Sequence, residues 1–243
     1  MIEPKLSFYD DDVCFKWEST DNEEAFDKHM SNPKTRAKLI ELGYTKESII
    51  YEMDYQGFRN PNDIIINESI LALGCSYTYG VGLNRESIWC DILAEKMGLT
   101  HYNAGLPGTS ADSAYRIART LIPEHKPKAV FFLVPDRNRS EIISEFIWNG
   151  CPFSYSVWSY DNPEFGNYCD FVMDDFPQRL QQERNILAIQ QICVDHNIPF
   201  HHIVLEELRL PGGIDDDARD LEHSGPRCHN HVADMFYELY QKG

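Results

Sequence analysis

The sequence predicts an α/β fold: a mostly parallel sheet covered by helices on both faces. Three observations carry this. From Ile64 onward, short apolar runs alternate with longer segments of helical period. Two of those runs, Ser69–Leu73 and Ala129–Val134, are nearly continuous in apolar residues, as strands buried on both faces are. The length, 243 residues with 42% hydrophobic, suffices for one large α/β domain with an appended segment.

Taken in order, residues 1–67 are polar and weakly periodic. Asp10-Asp11-Asp12 and Asp21-Asn22-Glu23-Glu24 read as solvated charge clusters. A helix is predicted from about Asn32 to Leu42, capped by Ser31 or Asn32, with Pro33 in its first turn and Gly43 beyond it. Asp54 to Pro61 reads as a turn-rich connection. We expect residues 1–67 to form an arm packed on a main domain of residues 68–243, because the arm holds too few apolar residues for a core of its own.

The main domain opens with a strand over Ser69–Gly74, then a turn carrying Ser76, Gly80 and Gly82, then a helix over Glu86–Met97 stopped by Gly98. A short strand over His101–Ala104 leads into the loop Gly105–Gly108, and Ser110 caps a helix reaching about Leu121. The strand Ala129–Val134 is closed by Pro135, and a helix is expected over about Ser140–Trp148. Residues 149–177 break the rhythm with many aromatic residues and read as a cap or lid. A long helix over Gln178–His196, a strand over Ile198–Leu205, a Gly/Asp-rich loop over Leu210–Arg219 and a final helix over Pro226–Gln241 complete the chain.

The net charge of −17, from 22 basic and 39 acidic residues, argues against nucleic acid and anionic membrane surfaces as partners, since both need a positive footprint. No run approaches the roughly 18 apolar residues of a membrane span. The amino terminus lacks the basic start and apolar stretch of a signal peptide, so the expectation is a cytoplasmic protein, or one released by some other route. The seven cysteines include no CxxC pair and read as small buried residues of a reducing compartment. Cys228, His229 and His231, with His201 and His202, match no zinc-ligand spacing and read as surface or packing residues. No metal or organic cofactor is expected, and the sequence leaves the oligomeric state open.

Ser76 stands just past the carboxyl end of the first strand of this sheet, where open α/β sheets place their ligands. A serine hydroxyl attacks well only when a base removes its proton, and the base needs a third group to orient it. The best such pair after Ser76 is Asp220 and His223, in a polar loop before the last helix. Oxyanion donors are available from the Ser76 amide and from the glycine-bearing loop after the second strand.

Gly74-Cys75-Ser76-Tyr77-Thr78, Asn103-Ala104-Gly105-Leu106-Pro107-Gly108 and Asp220-x-x-His223 come in the order of the SGNH (GDSL-like) hydrolases, and residues 68–241 resemble that family. The resemblance implies a flavodoxin-like three-layer α/β/α sandwich and hydrolysis of esters, thioesters or acetylated sugars. It implies Ser76 as nucleophile, His223 as base, Asp220 as orienting acid, and the Ser76 and Gly108 amides as oxyanion donors. Cys75 stands where the family has Asp, a residue that is not the attacking group. At the family's asparagine block this chain has Pro135-Asp136-Arg137-Asn138-Arg139, with Asp136 nearest the asparagine position. A carboxylate there would repel an oxyanion, so Asn138, Arg137 or Arg139 takes the role, or the hole has two donors. Losing one donor costs about 100- to 1,000-fold in rate.

The expectation is therefore a serine-dependent ester hydrolase working through an acyl-enzyme on a small-molecule ester. An acetylated carbohydrate is the more specific substrate, with Tyr77, Arg137 and Arg139 as substrate-binding candidates. Acetyl transfer to a sugar by the same triad, and an inactive glycan-binding module, stay open as alternatives.

Overall fold

Two apolar layers, one on each face of a parallel sheet, hold the protein together. A computed structural model describes residues 5–10, 13–143, 152–155, 175–208 and 216–243. In the amino-terminal region, β1 (Cys14–Phe15) is followed by α1 (Glu23–Ser31) and α2 (Pro33–Glu41). β2 (Tyr51–Glu52) then returns antiparallel to β1 and pairs Phe15 with Tyr51. The helix after Asn32 forms as the sequence predicts, with Asn32 accepting from Lys34 N and Pro33 in the first turn. The acidic cluster at 21–24 does more than face water. Asn22 Oδ1 accepts from Ala25 N at 2.9 Å and caps α1, and Glu23 and Glu24 occupy the first turn, where the helix dipole favours negative charge.

Onward from residue 69, the elements are β3 (Ser69–Leu73), α3 (Ser76–Tyr79), α4 (Trp89–Met97), β4 (Thr100–Asn103), α5 (Ala111–His125) and β5 (Ala129–Val134). They continue with β6 (Ser140–Ile143), β7 (Pro152–Tyr155), α6 (Asp175–Asp195), β8 (Phe200–Val204) and α7 (Pro226–Lys242). The main sheet has the order β4-β3-β5-β8, parallel throughout. Leu71 lies opposite Tyr102 on one side and Val130 on the other. Counted among these four strands, the order is 2-1-3-4, the flavodoxin-like pattern, so the topological switch falls between β3 and β5.

Side chains alternate across β3 and β5, and that splits the core. Leu71, Leu73, Val130, Phe132 and Val134 pack with α5 (Ala114, Ile117, Leu121) and α6 (Ile186, Ile189, Cys193). Ile70, Ala72, Phe131 and Leu133 pack with α4 (Trp89, Leu93) and α7 (Val232, Phe236). The result is the expected α/β/α sandwich. A third cluster joins Ile49, Tyr51 and Met53 of the amino-terminal region to Tyr79 and Val81, just past Ser76.

One element differs in kind. The helix expected over Ser140–Trp148 begins as a strand: β6 pairs antiparallel with β7, Ser140 opposite Tyr155 and Ile142 opposite Phe153. Residues 144–148 lie outside the described residues, as does the aromatic insertion apart from the backbone of 152–155 and the start of α6. Among the described residues, no helix is long and apolar enough to cross a membrane. Cys75, Cys90, Cys193 and Cys228 are buried and unpaired, whereas Cys14 is exposed.

Candidate active site

Ser76 begins α3, the four-residue helix that follows β3. Gly74 makes the sharp turn possible: a Cβ there would come within 2.1 Å of Thr78 Oγ1 and 2.8 Å of the Leu133 carbonyl oxygen. The Ser76 amide lies in the first turn of α3, where an amide has no intrahelical partner. The side chain is almost buried, at 5% exposure, and its Oγ lies 4.0 Å from Cys75 Sγ.

The glycine loop packs beside this turn. Asn103, fully buried at the end of β4, donates from Nδ2 to Thr78 O (2.7 Å) and accepts from Gly105 N (3.0 Å), joining the loop to α3. Leu106 N donates to Gly74 O at 3.2 Å. A Cβ on Gly105 would lie 2.6 Å from Tyr79 N, so the backbones approach as closely as a glycine allows. Gly108 faces open space with φ 71°, since a Cβ there would meet nothing within 4 Å.

Asp220 and His223 meet as a pair. His223 Nδ1 lies 2.6 Å from Asp220 Oδ2, while Asp220 Oδ1 accepts from the amides of Glu222 (3.2 Å) and His223 (3.0 Å). The Asp220 side chain is fully buried and that of His223 is 15% exposed. Burial alone pushes the Asp220 carboxyl up, but the hydrogen bond and charge of His223 and the hydrogen bond from Thr20 outweigh it and hold the group below the usual carboxylate range. Leu221 completes this tight turn at φ 57°, a left-handed conformation costly for a bulky residue.

This loop lies against the segment that follows Ser76. Arg219 N donates to Gly82 O at 2.9 Å, and a Cβ on Gly82 would lie 2.9 Å from Ala218 Cβ. The Tyr77 ring stands edge-on to the imidazole of His223, with centroids 5.4 Å apart. Two segments distant in sequence, the one that follows β3 and the one that precedes α7, thus meet.

The candidates after β5 are more dispersed. Arg137 donates from its amide to Glu206 Oε1 (2.9 Å), and its Nε lies 3.3 Å from Glu206 Oε2. Arg139 pairs with Asp136 at 3.5 Å, and Asn138 is exposed. Glu141, in β6, pairs with Arg116 of α5 at 2.8 Å. His229 is fully buried and accepts at Nδ1 from Trp89 N (3.1 Å), holding the start of α4; burial drives its pKa down to about 3.

Several residues at the site carry no sequence signal. Arg59, 2% exposed, donates to the carbonyls of Tyr79 (3.1 Å), Gly80 (2.6 Å) and Leu83 (2.7 Å), fixing the carboxyl end of the Ser76 turn. Asn60 exchanges hydrogen bonds with the backbone of Asn103. Thr20 Oγ1 donates to Asp220 Oδ2 at 2.6 Å across 200 residues of sequence. No local pattern marks these residues, because most of their partners are set only by the tertiary fold.

No model of a known protein family matches the chain, and no curated protein matches it. Solved structures do. A member of the lipolytic protein G-D-S-L family from Veillonella parvula DSM 2008 is 16% identical, covering 72% of this chain and 99% of that one, at a TM-score of 0.38. The psychrotrophic esterase EstA from Pseudoalteromonas sp. is 15% identical, covering 72% and 98%, at a TM-score of 0.39. The family 3 carbohydrate esterase of Clostridium thermocellum is 15% identical, covering 70% and 93%, at a TM-score of 0.36. The solved structures to which this chain is similar thus include lipolytic proteins of the G-D-S-L family and esterases.

Proposed function

We propose that the protein is a serine-dependent ester hydrolase, with Ser76 as nucleophile, His223 as base and Asp220 as the orienting acid. The observation that carries this reading is the 2.6 Å contact between Asp220 and His223, on a loop bonded to the segment that Ser76 opens. An ionised, buried Asp220 accepting from Nδ1–H leaves Nε2 bare, the tautomer a general base requires.

The proposed sequence starts with Ser76 Oγ attacking the ester carbonyl while His223 takes the hydroxyl proton. The oxyanion is met by the Ser76 and Gly108 amides, with Asn138 as the third donor. Asp136 falls nearest the family's asparagine position, and Arg139 beside it offsets the charge of that carboxylate. His223 passes its proton to the departing alcohol, leaving an acyl group on Ser76. A water molecule, deprotonated by His223, then releases the acid. In this reading Tyr77, Arg137 and Arg139, which follow the ends of β3 and β5 in the chain, contact the substrate. An acetylated sugar is the more specific substrate; it rests on the aromatic content of residues 153–171 in the sequence.

Hydrolysis of 4-nitrophenyl acetate tests the assignment. Ser76→Ala and His223→Ala should each lower kcat by at least about 1,000-fold, and His231→Ala should keep most of the activity. Equal losses for His223→Ala and His231→Ala would mean that the base is misassigned, and full activity in Ser76→Ala would refute the nucleophile.

A further inference from the structure

The arm presents a hydroxyl to the Asp220–His223 pair, and it does so from a rigid mount. Thr20 lies in a tight turn closed in both directions: Glu18 N donates to Asp21 O (2.7 Å) and Asp21 N to Glu18 O (2.9 Å). Ser19 in that turn has φ 56°, an uncommon conformation for a residue other than glycine. The next residue, Asp21, is 1% exposed and bonded to the residue beside Asp220: Arg219 donates from Nε to Asp21 Oδ1 (2.8 Å) and from Nη2 to Asp21 Oδ2 (2.7 Å). Arg219 spends its remaining donors on the carbonyls of Lys16, Thr45 and Lys46, and its guanidinium lies 4.2 Å from the Trp17 ring centroid. Tyr51 OH donates to Asp21 Oδ2 (2.5 Å) and accepts from Gly82 N (2.8 Å). One polar network therefore fixes the arm, the segment after Ser76 and the His223 loop together.

Within this frame Thr20 Oγ1 reaches Asp220 Oδ2 at 2.6 Å and lies 3.5 Å from His223 Nδ1. The Oδ1 atom is already held by two amides. Thr20 thus fixes the second oxygen, the one that faces the imidazole. We propose that Thr20 is a positioning residue for the reaction: its hydroxyl, delivered by the 18–21 turn, locks the Asp220 carboxylate so that Oδ2 holds His223 in the Nδ1–H tautomer. This rests on the hydrolase reading above. It goes beyond that reading in making residues 18–21 a working part of the site and turning the triad into a relay of four side chains. Thr20 does not touch the reacting atoms; it acts through Asp220.

Thr20→Val keeps the shape and removes the hydroxyl, and Thr20→Ser restores it. With 4-nitrophenyl acetate, Thr20→Val should lower kcat by about 10- to 100-fold, the loss of one hydrogen bond to a charged group, with KM nearly unchanged. Thr20→Ser should recover most of kcat. In parallel, NMR of protein carrying 15N-labelled histidine reads the His223 tautomer without any substrate. The wild type should show protonated Nδ1 and bare Nε2, and Thr20→Val a mixture with a weaker, upfield-shifted Nδ1–H resonance. An unchanged kcat and spectrum in Thr20→Val would overturn the proposal, as would a rise in KM alone. If the wild type is inactive yet its imidazole responds to Thr20→Val, the positioning role stands and the hydrolase reading falls.

Discussion

His229 and His101 show how single buried groups tie this fold to pH. His229 stays neutral inside the protein down to about pH 3 because it is buried and occupied as an acceptor. His101, 6% exposed on β4, has its pKa lowered to about 4 by burial and then by Arg85. Asp91 Oδ1 stands 3.3 Å from its Nδ1 and would favour the charged ring, yet burial wins, and burial also raises the Asp91 carboxyl. In the unfolded chain both rings take up a proton near 6.5. Below that pH the unfolded state binds more protons than the folded one, so stability is lost as pH falls toward 4. Asp220, whose folded carboxyl is depressed, adds its own loss at lower pH, as the medium falls through that carboxyl's range. His101→Gln, which cannot titrate, should therefore flatten the decline of Tm between pH 6.5 and 4; a slope as steep as the wild type's would contradict this account. In sequence both histidines are anonymous, because a ring on an apolar face looks the same whether it faces water or a backbone amide.

At the scale of elements, the strands of the main sheet and the helix after Asn32 were legible, and β6 and the buried role of Asp21 were not. Ser69–Leu73 and Ala129–Val134 announce themselves because a strand buried on both faces must be apolar at nearly every position. Gly98 likewise marks the end of α4 by taking the left-handed cap at φ 66°. By contrast, β6 depends on pairing with β7, a partner that local periodicity does not reveal, and Ile142-Ile143 alone fits a helix or a strand. The cluster Asp21–Glu24 misleads in another way: Glu23 and Glu24 are solvated, but Asp21 is buried against Arg219. That pair gives the element-scale prediction. Arg219→Ala strands a carboxylate in the interior and empties five donor positions, at a cost of about 3–5 kcal/mol. Thermal unfolding should move down by roughly 10 °C. A loss under about 1 kcal/mol would mean that the network is dispensable.

Across the whole molecule, one arrangement explains the candidate site. The strand order puts a topological switch between β3 and β5, and the chain fills that edge with Ser76, the glycine loop, residues 135–139 and the Asp220–His223 loop. Ser76, Asp220 and His223 could be named from sequence because a strand-end serine after a glycine and an Asp-x-x-His before the last helix keep local signatures. Thr20, Arg59 and Arg219 could not, since most of their partners lie 20 to 203 residues away and only the completed fold defines them. Two buried arginines flank these segments, Arg59 at the turn after Ser76 and Arg219 beside Asp220. The central claim is that Ser76 is a nucleophile activated by His223. Reaction with a fluorophosphonate followed by peptide mass mapping tests it most directly. The account predicts a single phosphonyl adduct on Ser76 in the wild type and none in Ser76→Ala or His223→Ala; an adduct on another residue, or no adduct on the wild type, would contradict it.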